Sequence, residues 1–463
     1  MSLKVLKFGG STIQDAGALR RTAARIGQEL PSGGLVVVAA LKGVADGLVE
    51  SLAAAARGDL AEARGRLDGL RARHHAAAEA LGLRSALAGT WIPLLERFGE
   101  QLEGAALVGE ASPRTKAAAL AVGETLAAEL VAALLAAEGL PARFEDARGI
   151  LRTDDRHGRA RPDRDAIRAQ AGPWSAALAA GALLVTQGFV GQAPDGTTTT
   201  LGRGGADTSA TLLGEALGAE EVQIWTDVDG ILSADPTLVP EARPIPQLSL
   251  AEAAALSAFG ARVLGPDCLA PAARAGFRLT VANILRTEAG RTSILADPTE
   301  RRPGQVTSVV YKEGVVTLRF PPGFALEELA ALAQRLDEAG ARRYGLLGDP
   351  EGTLLVLRPE THAALSVLEE LGRGPAAIEP GWALVVLVGD GLRRDPGAAV
   401  RLLAPLEREP LGAVLSGSQG ASVTFLVPEY RLPALIPLLH RRWIEGRDAS
   451  RKPGLPITTG SGA

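Results

Sequence analysis

The chain has 463 residues, 46% of them hydrophobic, and a formal net charge of −4. That length exceeds one ordinary core and predicts two or three domains. The weak negative charge and the lack of a basic tract argue against nucleic acid as the main partner, and a single cysteine, Cys268, excludes an intrachain disulfide scaffold and fits a reducing compartment.

The opening MSLKVLKFGG has no long apolar run and does not read as a secretory signal. LKVLKF is compatible with a strand, GGST with a turn, and DAGALRRTAARIGQEL with an amphipathic helix capped by Asp15. LVVVAAL is a continuous apolar strand of the kind buried on both faces of a parallel sheet. Residues 48–140 are rich in Ala, Leu, Glu and Arg and predict a helical layer. LLVTQGFVG and VQIWTDVDG read as further buried strands, with a helix in DTSATLLGEALGA between them. SLAEAAALSAFGARVL predicts another helix, and FRLTVANI another strand. The alternation implies an α/β fold with a mainly parallel sheet sandwiched by helices over residues 1–300. The apolar runs LVVVAAL and ALLVTQGFV are too short to span a bilayer. A cytoplasmic protein with no membrane partner is expected.

DPTERRPGQ reads as a connector. Beyond it, a β-α-β-β-α order occurs twice, over 301–380 and 381–463, and predicts two small ferredoxin-like (βαββαβ) modules. The tail RKPGLPITTGSGA has the composition of a disordered segment.

Three loops carry chemistry. In VLKFGGST, Gly9 and Gly10 end a strand, Lys7 precedes them, and Ser11 and Thr12 add hydroxyls. Such a turn can cradle an anion, although a tight turn beside a solvated lysine would read the same. In TTTTLGRGGADTSATLL, Gly202, Gly204 and Gly205 flank Arg203. Stripping out bulk leaves room for a small charged ligand. Arg203 offers a fork suited to a carboxylate. A helix starting at Asp207 lets that residue cap it, orient a cation or bind an ammonium, and the threonines ahead supply short hydroxyls. The bland alternative is a glycine-rich loop with a surface arginine. In WTDVDGILSADP, Thr226, Asp227 and Asp229 follow a strand, where open α/β sheets bind ligands. The DVDG fragment lacks the later acidic positions of a calcium loop, so no protein-held metal is expected. No histidine falls in these loops, and Cys268 reads as packing, so a hydrolase triad has no base. Lysine, arginine, aspartate, hydroxyls and glycine amides suit phosphoryl transfer to an acceptor already ionised at neutral pH.

Taken together, KFGGST, GFVG…TTTTLGRGGADTSATLL, TDVDGILSADP, FGARVLGP and VANI resemble the aspartate kinases in order and spacing. TDDRHGRARPD and AVGET also resemble segments of that family, and the two C-terminal modules resemble its paired ACT domains. The resemblance implies an amino-acid-kinase fold and ATP-dependent phosphorylation of the L-aspartate side-chain carboxylate, with Mg²⁺ on the nucleotide. It implies that Lys7, Gly9, Gly10 and Ser11 hold the ATP phosphates, with Thr226, Asp227, Leu232 and Arg262 on the nucleotide side. It assigns Glu124 to the substrate's amino group and Arg203 to its carboxylate. Asp207 orders the site, with Gly204, Gly205, Ala206 and Ala45 lining the acceptor side. It also implies pairing into a homodimer, or a dimer of dimers, through the ACT modules, and an amino-acid effector such as lysine or threonine.

Departures from the family pattern cluster near these positions. Ala39 and Ala45 stand where a serine and a substrate-contacting threonine are usual, and Ala206 replaces a hydroxyl residue. Leu232 and Thr237 replace an aromatic and an arginine, Arg262 replaces a lysine, Gly265 a histidine, and Thr125 an arginine. Two alternatives follow: a kinase of the same fold acting on a related small acid, and a catalytically weak paralogue that senses amino acids.

Overall fold

The computed structural model describes residues 3–259, 264–286, 290–296, 298, 304–322, 326–338, 342–349, 352–358, 367, 377–395, 397–407, 409–416 and 421–446. These residues form two compact units, one drawn from 1–231, 244–257 and 262–298, the other from 232–243, 258–261 and 299–463.

The first unit begins with β1 (Lys4–Phe8), α1 (Ala16–Glu29) and β2 (Gly34–Val38). A helical layer follows: α2 (Val44–Ala56), α3 (Leu60–Ala80), α4 (Arg84–Val108) and α5 (Pro113–Ala137). Then come β3 (Ala142–Phe144), α6 (Arg164–Gln170), α7 (Gly172–Ala179), β4 (Leu183–Gln187), β5 (Val190–Gln192) and β6 (Thr198–Thr200). The unit continues with α8 (Gly205–Leu217), β7 (Glu221–Thr226), β8 (Gln247–Ser249), α9 (Leu250–Phe259), α10 (Leu269–Ala275), β9 (Arg278–Asn283) and β10 (Thr292–Leu295).

Eight strands form one sheet in the order β3-β4-β2-β1-β7-β9-β10-β8. All pairings from β3 to β9 are parallel, and β10 runs antiparallel to β9. Every residue of β2 and β4 is buried, as their unbroken apolar runs require of strands covered on both faces. β1 lies in the middle, with Lys7 in register with Val37 on one side and Ile224 on the other. Asp15 caps α1 by accepting from the Ala18 amide at 2.8 Å, as its position in the sequence predicts.

α5 is long and apolar enough to cross a membrane by length and composition, yet 78% of its apolar window is buried within the protein. It is the core helix of the unit, packed against α2, α4 and the sheet. Ser112 caps it and Pro113 opens it, both suited to a helix start. In the same layer, His74 of α3 is fully buried and stands edge-on to Trp91 of α4 at 5.7 Å between ring centres. Its Nδ1 lies 2.8 Å from the Leu70 carbonyl, so that nitrogen carries the proton.

The second unit contains β11 (Ser308–Phe320), α11 (Leu326–Glu338), β12 (Arg342–Asp349), β13 (Gly352–Arg358), β14 (Ala377–Val388), α12 (Ala398–Leu403), β15 (Ala413–Ser416), β16 (Ser422–Pro428) and α13 (Leu432–His440). Its six strands form one antiparallel sheet, β12-β13-β11-β14-β16-β15. Each sequence repeat therefore contributes three of the described strands to a shared sheet, joined where β11 pairs with β14. Segment 232–243 is gripped by this unit. Ser233 Oγ lies 2.9 Å from His440 Nε2, and His440 Nδ1 lies 2.7 Å from Glu445.

The structure departs from the sequence expectation in one strand. LLVTQGFVG is not continuous: it breaks between β4 and β5 at Gly188 and Phe189. The helix expected in HAALSVLEELG lies outside the described residues apart from Val367, as do the end of SLAEAAALSAFGARVL beyond Phe259 and the C-terminal tail.

Candidate active site

β1 delivers Lys7 to the end of the sheet, and the chain then turns through Gly9 and Gly10. The Thr12 amide and Thr12 Oγ1 both donate to the Gly9 carbonyl, at 3.0 and 2.7 Å, which fixes the turn. Gly10 has no room for a side chain. A Cβ there would sit 2.7 Å from the Ala40 carbonyl oxygen and 3.1 Å from the Lys42 amide. Ser11 is half-buried in the same turn.

The second glycine loop runs into α8. Gly204 caps that helix with φ of +75°, a left-handed conformation that favours glycine. Of the three roles open to Asp207 in the sequence, capping the helix is therefore excluded. The residue lies in the first turn, because the glycines let the helix begin earlier, and its carboxylate meets Lys7 Nζ at 2.6 Å. The pair is nearly enclosed, with side chains 11% and 13% exposed. A cavity of about 400 Å³ opens beside it, lined by Lys7, Phe189 and residues 202–207. Arg203 stands exposed on this cavity and makes no ion pair among the described residues.

Glu124 lies on α5, 5% exposed. The Ala40 backbone lies beside its carboxyl group, and its Oε2 has no hydrogen-bond partner among the described residues. Burial pushes its pKa up to about 8, against the Ala40 backbone and the nearby charge of Lys7, which pull it down. At pH 7 this carboxyl is thus mostly protonated. Ala45 sits in the first turn of α2, behind the left-handed cap Gly43.

At the end of β7, Thr226 Oγ1 donates to Asp227 at 3.2 Å, and Asp227 is exposed. Asn283 of β9 donates to Asp229 Oδ1 at 2.6 Å, and Arg286 pairs with the other oxygen at 2.5 Å. Asp229 is thus occupied by the protein itself, and Asp227 is the freer carboxylate of that loop. Cys268 is buried, donates to the Gly265 carbonyl at 2.9 Å, and has its thiol pushed far up by burial, which makes it inert at neutral pH.

The structure brings Lys7, Arg203, Gly204, Gly205, Ala206 and Asp207 to one cavity. Gly9, Gly10, Ser11, Ala45, Glu124, Thr226 and Asp227 are not among its lining residues. Leu232 falls in the other unit, where its carbonyl accepts from Ser308 Oγ, and Arg262 lies outside the described residues. The threonines are placed differently from expectation. Thr198–Thr200 form β6, which pairs with β5, and Thr199 Oγ1 meets Thr153 Oγ1 at 2.6 Å. They build a hairpin rather than line the cavity, because a run of β-branched residues suits a strand. Phe189 is the lining residue that sequence reasoning missed; its backbone φ of +70° is invisible in the residue type.

No cluster of three or more His, Cys, Asp or Glu side chains able to hold a metal ion occurs among the described residues. The described residues thus offer no cage of their own, and a magnesium ion arriving on phosphates would find a single carboxylate, Asp207, on this cavity.

The chain as a whole is similar to known proteins. Residues 2–283 match the amino acid kinase family. The chain is 32% identical to "Lysine-sensitive aspartokinase 3" of Escherichia coli (strain K12), over 95% of this chain and 99% of that protein. The solved structure of E. coli aspartokinase III in complex with aspartate and ADP (R-state) superposes with a TM-score of 0.80 at 31% identity, covering 95% of this chain and 99% of that one. The same enzyme in complex with lysine and aspartate (T-state) gives a TM-score of 0.79 at 30% identity, covering 96% and 99%. The chain belongs to the amino acid kinase family and, within it, to the aspartokinases.

Proposed function

We propose that this protein transfers the γ-phosphoryl group of ATP to the side-chain carboxylate of L-aspartate, giving 4-phospho-L-aspartate and ADP. This is the first step toward lysine, threonine and methionine. The observation that carries the reading is the cavity in which Lys7 and Asp207 pair at 2.6 Å beside Arg203, within a chain similar over almost its whole length to an aspartokinase solved with aspartate and ADP.

The chemistry asks little covalent help of the protein. A carboxylate with a pKa of about 4 is ionised at neutral pH, so no general base is needed. One carboxylate oxygen forms the new O–P bond as the bond to ADP breaks. The obstacle is repulsion between two anions, and positioned cations offset it. Lys7 stabilises the transferring group, over a turn whose Gly9 and Gly10 amides and Ser11 hydroxyl receive the phosphates. Thr226, Asp227 and Arg262 belong to the nucleotide side. Arg203 takes the α-carboxylate, and Glu124 takes the α-ammonium. Magnesium on the triphosphate neutralises charge, and Asp207, which lines the cavity, is the carboxylate that would meet it.

Residues 1–300 form the catalytic part in this reading, and 301–380 and 381–463 are two regulatory modules. The modules bind an amino-acid effector, and lysine is the first to test because the E. coli relative was solved with it. β12 and β15 are the edge strands of the second sheet, and pairing of these modules between copies would give a homodimer or a dimer of dimers. The cytoplasm is the compartment proposed. A related small acid is the second reading: Ala206 on the cavity and Ala45 in α2 supply no hydroxyl to the acceptor.

A coupled ADP-release assay with aspartate, glutamate and N-acetylated acids tests these readings together. Turnover with aspartate alone supports the first. Turnover with another acid only, or tight amino-acid binding without any turnover, overturns it.

A further inference from the structure

Phe189 is the one non-glycine residue among those described with a left-handed backbone, at φ of +70°. Its neighbours close a tight turn around it: the Val190 amide donates to the Gly188 carbonyl at 2.8 Å. A three-residue turn with a positive central φ is the rare, strained form, and such a conformation persists only where its surroundings over-determine it. Here three contacts do so. The Phe189 amide donates to Ser209 Oγ at 2.8 Å, and Ser209 is fully buried in α8. The Leu201 amide donates to the Phe189 carbonyl at 3.0 Å, and the Gly188 amide to the Val38 carbonyl at 2.8 Å.

The turn bears on the loop that holds the charged groups. A Cβ on Gly205 would lie 2.5 Å from Phe189 Cδ2, so the ring sits directly against that backbone. A Cβ on Gly188 would lie 2.8 Å from the Ala206 Cβ. Gly205 and Ala206 stand between Arg203 and Asp207, and Phe189 lines the same cavity.

We propose that Ser209 is a positioning residue for the acceptor side of the cavity. Its hydroxyl holds Phe189 in the left-handed turn, and the Phe189 ring in turn sets the placement of the loop carrying Arg203 and Asp207. Ser209 touches neither substrate nor nucleotide in this account; it acts through Phe189. The assignment of aspartate to this cavity rests on the function proposed above, whereas the mechanical link does not.

Two measurements test it. The first is the ligand-free crystal structure of Ser209→Ala. The expected result is that Phe189 leaves the left-handed region and the Gly205 backbone shifts; a φ still near the wild-type value with residues 203–207 unmoved overturns the inference. The second is kinetic, on the full chain. Ser209→Ala is expected to raise the KM for aspartate about tenfold with the KM for ATP within about twofold. The same change made in a Phe189→Gly background is expected to have less than a twofold further effect, because glycine adopts the left-handed turn unaided and carries no ring to set against Gly205. Equal effects in the two backgrounds overturn the inference. If Ser209→Ala does not fold, Ser209→Cys, a weaker acceptor, takes its place in both experiments. A wild-type enzyme that turns over no aspartate removes the acceptor assignment instead, and the crystal structure of the variant still decides the role of Ser209.

Discussion

Lys7 Nζ and an Asp207 carboxylate oxygen lie 2.6 Å apart, and this contact ties the end of β1 to the first turn of α8. Neither turn needs the other to form. The first is closed by Thr12 on the Gly9 carbonyl, and the second by the left-handed Gly204. The ion pair makes one site of the two, with a cation that can exchange its carboxylate partner for a phosphate.

Lys7→Ala is therefore expected to lower kcat by at least about a hundredfold, the scale seen when a positioned charge or donor at a transition state is removed. The fold should survive. Some stability is lost because Asp207 is left without its cation in a nearly closed site. Adding Asp207→Asn to Lys7→Ala should return that stability and none of the activity. Melting curves and steady-state rates on the two variants check this, and near-normal turnover by Lys7→Ala would show that the phosphate side lies elsewhere.

Arg203→Ala is expected to raise the KM for the acid about tenfold, the lower end of a charge-assisted hydrogen bond, because the guanidinium is exposed rather than buried. Arg203→Lys should recover only part of the loss, since a point charge replaces a fork. The check is the KM for each substrate separately. A change confined to the ATP term would move the arginine to the nucleotide side.

Glu124 makes acid binding pH-dependent. Its pKa is raised to about 8 by burial, so at pH 7 it is mostly protonated. An arriving ammonium favours the carboxylate, and binding should release close to one proton per site. Calorimetry in buffers of different ionisation enthalpy reads this directly, and no buffer dependence would remove Glu124 from the ammonium site. The same shift acts on stability. The folded state binds the proton more tightly than the unfolded chain, so its stabilising effect is complete below about pH 4.5 and is lost as pH rises through about 8. Glu124→Gln should flatten that decline, by about 5 kcal/mol at most.

His74 produces the opposite slope. Burial lowers its pKa from 6.5 to about 4, so the unfolded chain takes up a proton over this window and the folded chain does not. Stability should fall as pH drops from 6.5 toward 4, by about 3 kcal/mol at most. His74→Leu should remove that acid limb without changing the KM for either substrate. Denaturant titrations across the window measure it, and an unchanged slope in the variant would rule out His74 as the cause.

Much of the site was legible because its residue types are unusual for their surroundings. The chain has six lysines among 49 basic residues, and one of them stands next to the end of a central strand, just ahead of two glycines. Arg203 and Asp207 were legible as charges in a stretch otherwise stripped of bulk. Three features were not. The threonines before Arg203 looked like donors and became a hairpin strand, since a hydroxyl and a β-branched side chain recommend the same residue for both places. Asp207 read equally as a cap or as the partner of a cation or ammonium, and pattern alone could not choose; a left-handed glycine starts the helix and leaves the carboxylate to Lys7. Phe189 carried no signal at all, because its φ is imposed by contacts from Ser209, Leu201 and the Gly188 turn.

Local pattern by itself determined the alternation of strands and helices, the helical layer before residue 140, the repeated C-terminal order and the two glycine turns, because periodicity and glycine placement act over a few residues. Only the tertiary structure decided that Lys7 faces Asp207, two hundred positions away in the chain, and that Glu124 loses its charge inside a core helix. Those properties depend on distance and on exclusion of water, and neither exists until the sheet has brought its strand tips together.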